Sequence, residues 1–359
     1  MVDIPRRILI HDQLVEQLRE GIRLGRWQGE LPAEAKLGRE FQVSRMTLRK
    51  ALAQLANEHC IELGGRGRFH RILSSPMEPH EAPPRTVRCL TPYSFRAWST
   101  GLREVFDLVV ERLSAHGYRM EVEHRPALFE RFQPHRFEDL VRIPDTAAWL
   151  LCFSNEEILR WFSSRRISAV VLGRVPDGAI LNAIHPDSEA EGRHAAGIFY
   201  ARGHREVVYL RANLTSIGDR ICSEVFLSEF RRLGGTGRLV THDTDPPSVS
   251  RCMMNLLASK PRPTGVFVGC SEVAISVVCY LQAAGLRVPD DVSVISAWDD
   301  YHLDFTFPAI SRYRTDGTMI GRRVSDMLLD VVQHGRGKVR TTVVIPDFVP
   351  AGSVAQAPS

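Results

Sequence analysis

The run Ser44-Arg45-Met46-Thr47-Leu48-Arg49-Lys50 sets a helix-capping hydroxyl ahead of three cations and a second hydroxyl. At helical spacing Arg45, Thr47, Arg49 and Lys50 fall on the outward side of two successive turns, the composition of a helix start built to lie in a DNA groove. A guanidinium can pair with both acceptors of guanine, and a threonine methyl can touch thymine. Further on, Gly64-Gly65-Arg66-Gly67-Arg68 combines glycines, whose backbone can approach a sugar-phosphate chain closely, with Arg66 and Arg68 for phosphate or the minor groove. Any one of these arginines could be a solvated surface residue; the whole spacing favours DNA.

Other chemistries lack their parts. A Schiff-base enzyme needs a lysine in a polar pocket, and outside the first fifth of the chain only Lys260 and Lys338 exist, both in turn-like Pro/Gly/Arg surroundings. No GxSxG, P-loop or dinucleotide fingerprint occurs. The seven cysteines are scattered without a CxxC or a His-x-x-x-His pair, which predicts reduced thiols and no zinc site. The expectation is therefore a protein that is not an enzyme and needs no cofactor.

The elements that must carry the basic run can be read from apolar spacing. Leu14, Leu18 and Ile22 predict a helix over about 8–24, ended by the Gly25–Gly29 turn. A short second helix follows Leu31-Pro32 with Leu37 and Phe41 inward; Gln42-Val43 makes a tight turn. Ser44 caps a third helix reaching about Glu58 that buries Leu48, Leu52 and Leu55. Strands Ile61–Leu63 and Phe69–Ile72 complete a winged helix-turn-helix over residues 1–73. Charge agrees: residues 1–74 carry 13 basic against 9 acidic side chains, while the other 285 balance at 33 each, so the whole excess of +4 sits in the first fifth.

Residues 74–86 hold Pro76, Pro79, Pro83 and Pro84 and predict an extended linker. Beyond it, strand-like runs at 87–90, 118–122, 147–153, 169–172, 207–210, 265–268 and 292–297 alternate with helical patterns such as Ser99–His116 and Ser188–Arg202. Gly203-His204-Arg205 reads as the stop of the latter helix. Such alternation predicts doubly wound parallel α/β sheets, and about 270 residues suit two lobes with a ligand crevice at the strands' carboxyl ends. The first lobe is expected at about 87–187 and 312–335, the second at 188–311 and 336–355. Asp187 suits a helix cap or hinge contact as well as a ligand contact. The longest apolar run, Ala147–Phe153, is far too short to span a bilayer, and no secretory signal is legible, so a cytoplasmic location is expected.

Two resemblances sharpen this reading. Residues 8–72 resemble the GntR-family DNA-binding domain, through Leu31-Pro32-Ala33-Glu34, Val43 to Leu52 and Gly65-Arg66-Gly67-Arg68-Phe69. That implies base and phosphate contacts by Arg45, Thr47 and Arg49 and a wing tip at Gly67. Ala33 and Ala35 stand where the family has Ser and Arg, leaving Lys36 or Arg39 to substitute, and Arg68 replaces a usual threonine.

Residues 87–355 resemble the LacI/GalR effector domain, itself similar to periplasmic sugar-binding proteins, through Asp187 with Gly192, Ala201 to Leu210, Arg220, Ala284 to Ile295, Asp299-Asp300 and Pro308. This resemblance implies a ligand set of Tyr93, Arg96, Trp98, Ser154, Asp187, Arg220, Ser271, Trp298, Asp299 and Asp300, with Trp298 stacking on a sugar face. Cys270-Ser271 departs from the family's usual Asn-Asp. Together the two imply a homodimeric, sugar-controlled repressor that binds operator DNA. The alternatives are a pyridoxal-phosphate enzyme body, or a regulator whose effector site has degenerated.

Overall fold

The computed structural model describes residues 10–23, 26–27, 29–58, 60–64, 69–73, 84–213, 216–243, 245–335, 337 and 339–358. The chain divides into two compact units, Met1–Ala82 and Pro83–Ser359. In the first, helices α1 (Ile10–Arg23), α2 (Glu34–Glu40) and α3 (Arg45–Asn57) precede an antiparallel pair, β1 (Ile61–Glu62) and β2 (Arg71–Ile72). The helical repeats close on one core, where Leu14 and Leu18 of α1 meet Leu37 of α2 and Leu48, Leu52 and Leu55 of α3. Each buried leucine stabilises this small unit by about 1.5–3 kcal/mol. Gln42 takes the left-handed backbone (φ 52°) that reverses the chain between α2 and α3.

The strands are shorter than the sequence predicts, and Leu63 and Phe69 stand 47% and 55% exposed. A third segment joins the pair. The segment before α2 pairs with β2, Leu31 N donating to His70 O and Ile72 N to Gly29 O, both at 2.8 Å. The expected wing contacts Arg66, Gly67 and Arg68, and the linker as far as residue 83, lie outside the described residues.

The second unit is two-lobed α/β. The chain lays down β3 (Thr86–Thr91), α4 (Thr100–Ala115), β4 (Arg119–His124), α5 (Pro126–Glu130), α6 (Pro134–Val141), β5 (Thr146–Cys152), α7 (Glu156–Ser164), β6 (Ala169–Leu172) and β7 (Asn182–Pro186). It then crosses into α8 (Ser188–Ala201), β8 (Glu206–Ala212), α9 (Ile217–Arg232), β9 (Thr236–His242), α10 (Pro246–Ala258), β10 (Gly265–Val268), α11 (Ser271–Ala283), β11 (Ser293–Ser296) and β12 (Ser311–Arg314). Helix α12 (Gly317–His334) and β13 (Thr341–Val344) return to the first lobe, and β14 (Asp347–Val349) to the second. The sheet orders are β13-β7-β6-β5-β3-β4 and β14-β12-β11-β10-β8-β9, all parallel except for β14.

Alternate residues of the central strands serve cores on opposite faces. Val87, Cys89 and Leu150 face α4 and α12, while Leu90, Trp149 and Leu151 lie among side chains of α5, α6 and α7. Two-sided burial is what makes parallel strands read as unbroken apolar runs. Helices α8 and α9 cross at Gly192, where a Cβ would lie 2.7 Å from the Cys222 carbonyl oxygen.

One expected boundary is corrected. Residues 312–314 belong to the second lobe and 341–344 to the first, because β12 pairs with β11 and β14, and β13 pairs with β7. These short strands carry charged or hydroxyl side chains, so no apolar run announced them.

Candidate DNA-reading surface and ligand cleft

At the head of α3, Ser44 Oγ accepts from Thr47 N at 3.1 Å and lies 2.8 Å from Thr47 Oγ1, so cap and threonine hydroxyl satisfy each other. Arg45, Met46, Arg49 and Lys50 are exposed beside them, as are Lys36 and Arg39 on α2. Arg49 Nε donates to Glu34 Oε2 at 2.9 Å, and the other oxygen of Glu34 stands 3.5 Å from Nε2 of buried His70. Glu34 therefore braces α3 against the β2 segment and fixes where Arg49 can reach. Met46, 72% exposed, was not singled out from sequence; its long apolar side chain is suited to a thymine methyl.

In the second unit a cleft of about 510 Å³ opens between the lobes at the carboxyl ends of β3, β5, β8, β9, β10 and β11. Its walls are aromatic: Tyr93, Trp98, Phe129, Phe153 and Trp298. Tyr93 meets Phe153 edge-on at 4.9 Å between ring centroids. Burial, and then the Asp219 charge, push the Tyr93 hydroxyl up to about 12; burial likewise puts the Cys270 thiol at about 12. Both stay protonated at neutral pH, so this cleft presents no thiolate nucleophile.

Six of the expected ligand residues line this cleft: Tyr93, Arg96, Trp98, Ser271, Trp298 and Asp300. Four do not, each for a visible reason. Asp187 accepts from Ala190 N at 2.9 Å and serves as the cap of α8. Arg220 is exposed and stands 3.8 Å from Glu156 of the opposite lobe. Asp299 is held by Arg312 Nε at 2.5 Å and Arg314 Nε at 2.7 Å, and lines instead a second cavity beside the inter-lobe crossings. Ser154, between the lining residues Phe153 and Asn155, is buried, its hydroxyl without a partner.

Asp300 reaches the cleft but is engaged across it. One oxygen accepts from Thr100 N of the first lobe at 2.8 Å; the other accepts from His302 N at 2.9 Å and His302 Nδ1 at 2.6 Å. Burial pulls its pKa up, yet these bonds outweigh burial and hold the carboxyl below the ordinary aspartate value.

Sequence reasoning missed Arg211, Asp219 and His242, which also line the cleft. Asp219 accepts from Trp298 Nε1 at 3.3 Å and from Ser216 Oγ at 2.9 Å. Arg211 and His242 sit near the ends of β8 and β9, where a polar residue closing a strand was the only signal available.

Residues 10–70 match the family model of bacterial regulatory proteins of the gntR family, and residues 196–354 match that of the periplasmic binding protein-like domain. The HTH-type transcriptional repressor PurR of Erwinia tasmaniensis is 33% identical over 178 residues, 48% of this chain and 52% of that protein. The chain thus spans about half the length of the curated relatives it matches. Among solved structures, a LacI family transcriptional regulator from Enterococcus faecalis with bound ribose superposes with a TM-score of 0.64 at 15% identity, covering 76% of this chain and 99% of that one. A dimeric Lac repressor gives the same TM-score at 18% identity, with coverage of 76% and 99%. No helix among the described residues is long and apolar enough to cross a membrane. The chain thus joins a head that matches the gntR-family model to a body that matches the periplasmic binding protein-like model and shares its fold with solved LacI family regulators.

Proposed function

We propose that this protein is a transcriptional repressor whose winged helix-turn-helix reads an operator and whose body binds a small, polar, sugar-like effector between its lobes. The observation that carries the reading is the inter-lobe cleft: aromatic walls for a ligand face, hydrogen-bonding groups at the strand ends, and an inter-lobe contact through Asp300 that a ligand can strengthen or break. The capped basic helix supplies the output, since only a difference in affinity between lobe arrangements can convert binding into a signal. The PurR relatives are named as repressors, and the ribose-bound structure shares the body's fold.

Phe305 and Phe307, 70% and 91% exposed beside Tyr301 on the second lobe, form an apolar face that a second copy of the chain would cover. A homodimer on a two-fold operator follows, because one small head buries too little DNA surface for tight binding. The protein acts where its operator is, in the cytoplasm, and the cleft performs no catalysis. Operator fragments selected from random DNA, followed by band-shift titration with and without sugars that raise the melting temperature, test the reading. It predicts a sugar that changes operator affinity severalfold. Failure to select any sequence, or ligands that bind without altering operator affinity, would overturn it.

A further inference from the structure

The cleft contains a cation with no counter-ion. Arg211 follows the apolar run of β8 and is half-buried; its Nη1 donates to Ser223 Oγ at 2.9 Å. Its Nε–H is shut off from solvent without a hydrogen-bond partner, and among the described residues no carboxylate pairs with it. With Nη1 bonded to Ser223 and Nε enclosed, Nη2 is the nitrogen left to meet an oxygen of an anion.

The carboxylates that share the cleft are occupied elsewhere. Asp300 is held by Thr100 and His302, Asp219 by Ser216 and Trp298, Asp245 caps α10 through Ser248 N, and Glu272 accepts from Ser271 Oγ at 3.3 Å. Two further residues of the cleft lining hold enclosed groups without a partner. Trp98 is 1% exposed, and its indole N–H has no acceptor. His242 lies on β9, in register with Ala212 next to Arg211, and its Nδ1 faces the Asp243 carbonyl at 2.7 Å. A carbonyl only accepts, so Nδ1 carries the proton and the buried, partnerless Nε2 is an acceptor. Leaving such groups unmade is costly, which favours a shift of these side chains onto a ligand that supplies an anion and a hydroxyl.

We propose that the effector is anionic, a sugar acid or sugar phosphate, whose charged oxygens seat on Arg211 and whose hydroxyl is taken by His242. The inference rests on the reading of the cleft as the effector site and names the class of ligand it takes. The sequence marks Arg211 only by its place near the end of β8.

The test is calorimetric titration of the full chain with D-galacturonate, D-gluconate and D-glucose 6-phosphate against neutral D-galactose, D-glucose and D-ribose. Arg211→Gln and Arg211→Lys are titrated in parallel after thermal unfolding shows both folded. At least one acid should bind about tenfold or more tighter than its neutral counterpart, Arg211→Gln should abolish that preference, and Arg211→Lys should restore part of it. Carboxylates alone, or the phosphate alone, responding to Arg211 assigns the anion. Neutral sugars binding as tightly as the acids, or acids binding Arg211→Gln unchanged, overturns the anionic effector while leaving the cleft as effector site. No binding by any acid or any neutral sugar overturns both.

Discussion

Asp300→Asn tests whether one side chain holds the lobes together. The carboxylate uses both oxygens, one for Thr100 N at 2.8 Å across the cleft and one for His302 N and Nδ1 at 2.9 and 2.6 Å. An amide keeps a single acceptor. Whichever way it turns, its NH2 faces an N–H, and at least one charge-assisted bond is lost, worth about 1.5–3 kcal/mol. At about 1.4 kcal/mol per decade, the closed-to-open ratio of the lobes falls roughly 10- to 100-fold. Thr100 opens α4, so hydrogen exchange of that first turn should accelerate by about the same factor, and effector affinity should weaken because the ligand must then drive closure itself. Because the folded carboxyl titrates below its ordinary value of 3.8, the contact is fully present at neutral pH and is lost only as pH falls through that lowered value. Unchanged exchange of the α4 turn in a folded Asp300→Asn protein would show that Asp300 does not latch the lobes.

Three further outcomes are expected. Arg45→Ala should cost about 1–3 kcal/mol of operator binding at fixed salt with the melting curve unchanged, and binding within a factor of two of the parent removes Arg45 from base reading. Arg312, 1% exposed between Asp299 and Asp304, should on replacement by alanine destabilise the body by about 3–5 kcal/mol, read as the denaturant midpoint; a shift under 1 kcal/mol rejects the buried pair as a stabilising element. Phe307→Asp should convert a dimer to a monomer in analytical ultracentrifugation, and an undisturbed dimer moves the interface elsewhere.

The architecture was legible because its physics is local. Leu48, Leu52 and Leu55 repeat at helical spacing and are buried together, and the runs at 207–210 and 265–268 are apolar because both faces of a parallel strand are covered. What escaped was set by non-local pairing. Strand β12 is Ser-Arg-Tyr-Arg, and nothing in that string shows that Arg312 will find Asp299 and Asp304 and be buried with them. The same limit governs the site. Of the residues that the resemblance implies for a ligand, Tyr93 and Trp98 line the cleft, whereas Asp187 serves as the helix cap that its position equally suits, Arg220 stands exposed in an inter-lobe pairing and Asp299 sits in a double arginine clamp.

How the fold treats its buried arginines explains why half-buried Arg211 matters. Arg88, 7% exposed, is bracketed by Glu121 at 2.6 Å and Glu123 at 2.9 Å. Arg312 has Asp299 and Asp304. In both, neighbouring elements deliver the counter-charges, so the cost of removing a guanidinium from water is offset within the protein. Arg211 has only a serine hydroxyl, although Asp219, Asp245, Glu272 and Asp300 line the same cleft and each is drawn to another partner. Arg96 and Arg103 line the same cleft without a carboxylate partner among the described residues, so a ligand that carries negative charge would add to the Asp300–Thr100 contact a second hold between the lobes.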